Sequence, residues 1–276
     1  MKTFEILRKH NIHPKKRLGQ NFIIDNNIID KIYRAAEIND SDYILEIGAG
    51  LGTLTEQLVK KCFYLWAVEC DKKLCDVLNQ ELINYSSKID IIPHSILDVD
   101  ISKIAKERKI KVCGNVPYYI TTKILFHLVE YRDYIDYAVL TIQKELAERL
   151  LASPGTKTYG RLTVSLRFFA TLDKLFEIKP NSFFPAPDVT SVVIKLKFRH
   201  ILPQDINITL FSNIVEALFQ ERRKNIQNSL CLLKSKRITK ELAKEILDGC
   251  EIDRKKRAEQ LMLKDFLALT RFISKY

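Results

Sequence analysis

Tyr43-Ile-Leu-Glu-Ile-Gly-Ala-Gly-Leu-Gly52, with Thr53–Lys61 behind it, decides the fold. The first five residues form a short apolar run bounded by glycine, which predicts a buried strand. Three glycines at alternate positions predict a tight turn in which a ligand can approach the backbone. Residues 53–61 then predict a helix. The spacing is G-x-G-x-G, whereas the dinucleotide fingerprint is G-x-G-x-x-G. A second strand, Tyr64-Leu-Trp-Ala-Val68, ends at Glu69, 17 residues after Gly52. A carboxylate there can accept hydrogen bonds from two ribose hydroxyls and would repel a 2′-phosphate. Taken alone, the glycine turn could join any strand to any helix. Together with the acid at the end of the next strand it favours a nucleoside cofactor.

Working outward, helical spacing of Ile28, Ile29, Ile32, Tyr33 and Ala36 predicts a helix from Asn26 to Glu37, capped by Asp25 or Asn26. Further helices are expected over 72–85, 123–131 and 144–151, and further strands over 89–93, 111–114, 137–142, 164–170 and 192–198. Strands alternating with helices predict an α/β fold with an open, doubly wound, Rossmann-like sheet. After Arg199 the pattern changes. His200–Ile208 is linker-like, and from Thr209 onward only helical spacing recurs, as in Phe211, Ile214, Val215, Leu218 and Phe219. The expected organisation is a basic arm over 1–17, a cofactor-binding domain over 18–205 and a small all-helical domain over 206–276.

Bulk composition narrows the class. The 276 residues are 46% hydrophobic and 29% charged, with 8 Gly and 8 Pro, which excludes disordered and collagen-like chains. No apolar run reaches the length of a membrane span, and the first ten residues carry no apolar signal core. Six cysteines form no CxxC pair and fit no zinc spacing, so reduced cytosolic thiols and no metal are expected. Lys and Arg total 45 against 34 Asp and Glu, a net charge of +11. The surplus is uneven: residues 1–17 carry +5, 18–100 carry −7, 101–200 carry +8 and 201–276 carry +5. Such a chain attracts phosphate polyanions, although lysine-rich surfaces can also be merely solubilising. Arg222, Arg223 and Lys224, then Lys234, Lys236, Arg237 and Lys240, then Arg254-Lys-Lys-Arg257 form three basic clusters. Folded RNA, read by shape and backbone, suits a broad surface of this kind.

Asn115-Val-Pro-Tyr118 follows the fourth strand, and ligands of open sheets bind beyond the carboxyl ends of strands. Proline removes a donor and keeps the preceding residue extended. Such a loop can aim the Asn115 side-chain oxygen and a backbone carbonyl at one exocyclic amine. Tyr118 supplies a face on which a base can stack. In isolation, any N-x-P-Y is more often a turn with a capping Asn.

With this tetrapeptide in view, the chain resembles the rRNA adenine N6-dimethyltransferases of the KsgA/Dim type, from Lys16 to about Ala258. The motifs that carry the resemblance are Lys16-Arg-Leu-Gly-Gln-Asn-Phe22, Glu46–Thr55, Asn115–Tyr118, Gln143–Arg149, Tyr159–Val164, Phe183-Phe-Pro-Ala-Pro-Asp-Val189 and Phe219–Leu230. The resemblance implies a class I methyltransferase using S-adenosylmethionine to dimethylate two adjacent adenosines near the 3′ end of small-subunit rRNA. It implies a cytoplasmic, monomeric enzyme acting on a ribosomal particle and serving ribosome biogenesis. Residue by residue, it places Asn21 and Ile23 against the methionine end and its surroundings. Gly48 and Gly50 lie at the cofactor loop, Glu69 on the ribose and Asn115 at the target amine. Tyr118 and Phe183 take the two faces of the target adenine. The basic clusters, with the net charge, make Arg222, Arg223 and Lys224 the candidate RNA contacts.

Two positions depart from the family pattern. The usual Asp at the end of the third strand is Ser95 in a gapless match, with Asp98 three residues on. The usual Asn after the catalytic Tyr is Tyr119. Three other readings compete. A large-subunit adenine methyltransferase of the resistance type would lack the Phe219–Leu230 pattern. A non-catalytic RNA-binding assembly factor would not need Glu46–Gly52 and Asn115–Tyr118 intact. A nicotinamide dehydrogenase would need the other glycine spacing.

Overall fold

The computed structural model describes residues 3–276. It divides into two compact units: the chain up to Ala147 with Leu172–Phe198, and Glu148–Thr171 with Arg199–Tyr276. In chain order the first unit contains α1 (Thr3–Lys9), β1 (Phe22–Ile23), α2 (Asn26–Ala35), β2 (Tyr43–Ile47), α3 (Thr53–Lys61), β3 (Tyr64–Val68) and α4 (Lys72–Glu81). It continues with β4 (Ile89–Ile92), α5 (Ile101–Ala105), β5 (Ile110–Asn115), α6 (Thr121–Glu130) and β6 (Ile135–Gln143). Helix α7 (Lys144–Leu151) follows β6 directly, and α8 (Arg161–Phe169) belongs to the second unit. Strands β7 (Ala170–Ile178), β8 (Phe183–Phe184) and β9 (Ser191–Phe198) complete the strand set.

Seven strands form one sheet in the order β4-β3-β2-β5-β6-β9-β7. The first five run parallel, and β9 is antiparallel to β6. Strand order reverses between β2 and β5, where Glu46 lies opposite Cys113 and Ile47 opposite Gly114. A Cβ at Gly114 would overlap the Ile47 carbonyl, so only glycine lets these strand ends meet. Both sheet faces are covered, which is why β2 reads as an apolar run without alternation. Its core includes Ile44, Leu58, Leu65, Ala67, Cys113 and Val139, all fully buried.

The first ten described residues are more ordered than a basic arm. Helix α1 buries Ile6 and Leu7, and Ile12 joins them against Phe22, Leu51, Leu74 and Val77. Lys9 and His10 both meet Glu81, and Lys15 pairs with Asp71. The segment is therefore bound to α4 through apolar contacts that its charge count concealed. Met1 and Lys2 of the expected arm lie outside the described residues.

Two further expectations change. Residues 164–170 do not form a strand: Arg161–Phe169 is helix α8, burying Thr163, Val164, Leu166 and Phe168. Val164, Leu166 and Phe168 alternate like a strand, yet Val164 and Phe168 are also one helical turn apart. The helical unit also takes in residues 148–171 and 199–205. Two contacts explain this: the Tyr159 hydroxyl donates to the Leu261 carbonyl at 2.8 Å, and the Phe168 ring stacks on Phe211 at 4.5 Å. Helices α9 (Ile208–Gln220), α10 (Ile226–Leu230), α11 (Lys240–Gly249) and α12 (Leu263–Ile273) surround that core.

Candidate active site

The carboxyl ends of β2, β3 and β5 open onto a cleft of about 290 Å³. Of the residues singled out in the sequence, Asn21, Gly48, Gly50, Glu69, Ser95, Asn115 and Tyr118 line it together. They come from five separate segments, which the sheet's strand order brings to one point.

Glycines shape the floor. Gly48, Gly50 and Gly52 all have positive φ, which other residues adopt only with strain. A Cβ at Gly48 would sit 3.2 Å from the Asn115 carbonyl, so this glycine joins the cofactor loop to the Asn-Val-Pro-Tyr loop.

Glu69 is 7% exposed at the end of β3. One carboxylate oxygen accepts from the Gly50 N–H at 3.0 Å and the other from the Asp71 N–H at 2.9 Å. Each oxygen keeps a lone pair, so two more donors can be taken. Burial raises its pKa, and the two N–H groups oppose that rise. Asp71, outside the cleft lining, holds Gln20 in place at the cleft. It caps α4 through the Lys73 N–H, and it receives the Lys15 ammonium and the Gln20 amide, both at 2.9 Å. Burial alone would raise the Asp71 pKa, but these partners hold it below the ordinary carboxylate range.

Asn115 ends β5. Its Nδ2 donates to the Asn21 carbonyl at 2.8 Å, which fixes the amide orientation. Oδ1 has no protein donor among the described residues. The Tyr118 hydroxyl shares a hydrogen bond with the Ser191 hydroxyl at 2.6 Å, which orients its ring. Ser95 lines the cleft and caps a short 3-10 turn, its Oγ accepting from the Leu97 N–H. Asp98, at the far end of that turn, is exposed and outside the cleft lining.

Ile23 and Phe183 are not brought to the cleft. Strands β1 and β8 pair with Ile23 opposite Phe183 and Phe22 opposite Phe184. Side chains of a strand alternate between its faces. The 23/183 pair is buried in the core at 5% and 2% exposure, Phe22 lines the cleft, and Phe184 is exposed against Phe4. The sequence pattern showed neither of these short strands and so missed the parity of the pair. It also missed Gln20, Phe22, Cys70, His94 and Tyr119, which line the cleft too. Gln20 and Phe22 fall inside the motif beginning at Lys16, and that motif is the only signal that could have found them.

These features fit a nucleoside carrying a charged amino-acid tail. The glycine loop provides close approach, Glu69 has spare acceptor capacity, and Asn115 and Tyr118 stand at the neighbouring strand end. Comparison with known proteins agrees. The family model described as ribosomal RNA adenine dimethylase matches residues 11–269. The chain belongs to this family. The ribosomal RNA small subunit methyltransferase A of Halothermothrix orenii is 38% identical to it, over 97% of this chain and 91% of that protein. Its namesake from Desulforapulum autotrophicum is 40% identical, over 96% and 94%. Among solved structures, a dimethyladenosine transferase from Plasmodium falciparum superposes with a TM-score of 0.79 at 25% identity, covering 92% of this chain and 98% of that one. The 23S rRNA methyltransferase ErmE shares the fold at TM-score 0.70 and 23% identity.

In this family member the three basic side chains at 222–224 are not equivalent. Arg222 donates to the carbonyls of Lys157 and Tyr159 and lies 3.4 Å from Glu259, so it braces the helical unit. Lys224 pairs with Glu221. Arg223 is exposed and forms no ion pair among the described residues.

Proposed function

We propose that the chain transfers methyl groups from S-adenosylmethionine to N6 of adenosines in small-subunit rRNA. The expected products are two adjacent dimethyladenosines near the 3′ end, made on a ribosomal particle in the cytoplasm by a monomeric enzyme. The observation that carries this reading is Asn115. Its amide is held by Asn21 so that Oδ1 is left for a donor, beside an oriented Tyr118 ring and across Gly48 from the cofactor loop.

Gly48, Gly50 and Asn21 would receive the amino-acid end of the cofactor, Glu69 the ribose and Ser95 the adenine. When bound, S-adenosylmethionine supplies a methyl group on a sulfonium, a good leaving group. Asn115 Oδ1 would accept one N–H of the target amine. The carbonyls of Pro117 and Tyr118 are taken by Ile120 and Thr121, which leaves Val116 to offer the second acceptor. Two acceptors holding the N–H bonds turn the nitrogen lone pair outward, and Tyr118 stacks the ring. No side chain of shifted pKa is required, because the amine proton can leave after transfer. The rate would come from positioning, which can contribute about 7–11 kcal/mol. A base must leave its stack to reach such a site, so a flipped or loop adenosine is the expected substrate.

Arg223, Lys224, Lys234, Arg237, Lys240, Lys255, Lys256 and Arg257 are suited to phosphate contacts by the helical unit, whereas Lys236 donates to the Ile273 carbonyl and Arg254 pairs with Asp248. The test is to incubate the protein with tritiated methyl donor and under-methylated 30S particles and, in parallel, with unmethylated large-subunit rRNA, then map the label. Label on two adjacent small-subunit adenosines is expected. Label on large-subunit rRNA would favour the resistance-type reading, and binding without label would favour an assembly factor.

A further inference from the structure

Of the phenylalanine and tyrosine rings that line the cleft among the described residues, only that of Tyr119 remains largely in water, 60% exposed. It follows Tyr118 directly, yet the two rings are held differently. Tyr118 is anchored by its hydroxyl on Ser191. The Tyr119 ring edge lies beside Gly19, where a Cβ would make ordinary contact with its Cδ1 at 3.4 Å. Gly19 has a φ of +61°, so the backbone there is of the kind glycine supplies. The result is a flat, solvent-facing aromatic surface on the rim. A tyrosine has two χ angles, so little freedom is lost when something binds to it.

The surroundings select the occupant. Burial and the Cys70 and Glu69 charges raise the Tyr119 pKa, and exposed Arg17 opposes them from the solvent side. Lys16 beside it is exposed as well. A ring next to solvent-facing cations favours a nucleobase carried on a phosphate chain over an apolar ligand. If Tyr118 takes the target base, the next ring along the chain is placed to meet the next base along the RNA. We infer that Tyr119 stacks the nucleobase adjacent to the target adenosine and so helps to select a substrate in which the two are consecutive. This inference rests on the proposed function. It assigns a task to the one position of the Asn-Val-Pro-Tyr-Tyr loop where the family resemblance expects Asn, a residue without a stacking face.

The test is a coupling measurement on the full-length protein. Fluorescein-labelled single-stranded RNA containing two adjacent adenosines is titrated against wild type, Tyr119→Asn and Tyr119→Phe. Two further RNAs carry an abasic residue 5′ or 3′ of the target. Base–aromatic stacking corresponds to about 5- to 150-fold in affinity. Wild type should lose a factor in that range on one of the two abasic RNAs. Tyr119→Asn should lose a comparable factor on intact RNA and nothing further on that abasic RNA, and Tyr119→Phe should behave as wild type. Independent, multiplying losses in Tyr119→Asn would overturn the inference, as would intact-RNA affinity equal to wild type. Methyl transfer by wild type to 30S particles is measured in parallel. Its presence alongside independent losses removes only the stacking inference, whereas its absence removes the functional reading as well.

Discussion

Glu46 offers the sharpest test of the site's electrostatics. It sits on central strand β2, 1% exposed, between Ala67 and Cys113, and its Oε2 has no protein partner among the described residues. Burial raises its pKa from 4.5 to about 8, with the Thr55 hydroxyl opposing and the Glu69 charge adding. The folded protein therefore holds a neutral carboxyl at pH 7, while the unfolded chain ionises it. The stability contributed by the neutral form is complete below pH 4.5 and is lost as pH rises toward 8. At 1.36 kcal/mol per pH unit this loss is about 3 kcal/mol at pH 7 and about 4 kcal/mol at pH 8. Glu46→Gln mimics the protonated carboxyl in shape and cannot ionise. Its stability relative to wild type should rise by about 3–4 kcal/mol between pH 5 and pH 8. Urea unfolding followed by circular dichroism at several pH values measures this directly, since all other titrating groups are common to both proteins. Parallel stability profiles for the two proteins would show that Glu46 is ionised in the fold, and the account of a neutral buried acid would fail.

Four more outcomes follow from the site and the helical unit. Glu69→Ala removes the acceptor assigned to the ribose, and hydrogen bonds to a charged group contribute about 1.5–3 kcal/mol, so donor affinity by calorimetry should fall about 10- to 150-fold; unchanged affinity in a folded variant would remove Glu69 from the cofactor site. Asn115→Ala should lower kcat by orders of magnitude with small changes in donor and RNA affinity, and near-normal turnover would end its catalytic assignment. Replacing Arg223 and Lys224 by Ala should reduce the slope of log K against log salt for particle binding by about 0.7–0.9 for each phosphate that is no longer neutralised. Arg222→Ala should instead lower the stability of the helical unit, because its guanidinium is committed to the Lys157 and Tyr159 carbonyls. An unchanged salt slope in the double variant would move the RNA-binding surface elsewhere.

The limits of the sequence as a guide follow from the length scale of each signal. Strand β2, helix α3 and strand β3 stand where the sequence places them, because a buried parallel strand and a capped helix are local patterns. The switch point was legible for the same reason: one glycine turn, one acid and one Asn-Val-Pro-Tyr loop each announce themselves within ten residues. Parity was not legible. Phe183 and Phe184 are neighbours of identical chemistry, and only the pairing of β8 with β1 decides which of them is buried. Nor was edge strand β7, which is mostly exposed and carries Asp173, Lys174 and Glu177, as suits the outermost strand of a sheet. The doubt between Ser95 and Asp98 was a doubt about one 3-10 turn. Ser95 begins that turn at the cleft, and three residues of tight helix carry Asp98 out to solvent. Charge misled most in residues 3–15, where Ile6, Leu7 and Ile12 pack against α4 while Lys9 and Lys15 form ion pairs there. Basic residues that look like an RNA-binding tail can thus be committed to the protein itself. The same holds at Arg222, so net charge identifies a polyanion partner without identifying the side chains that touch it.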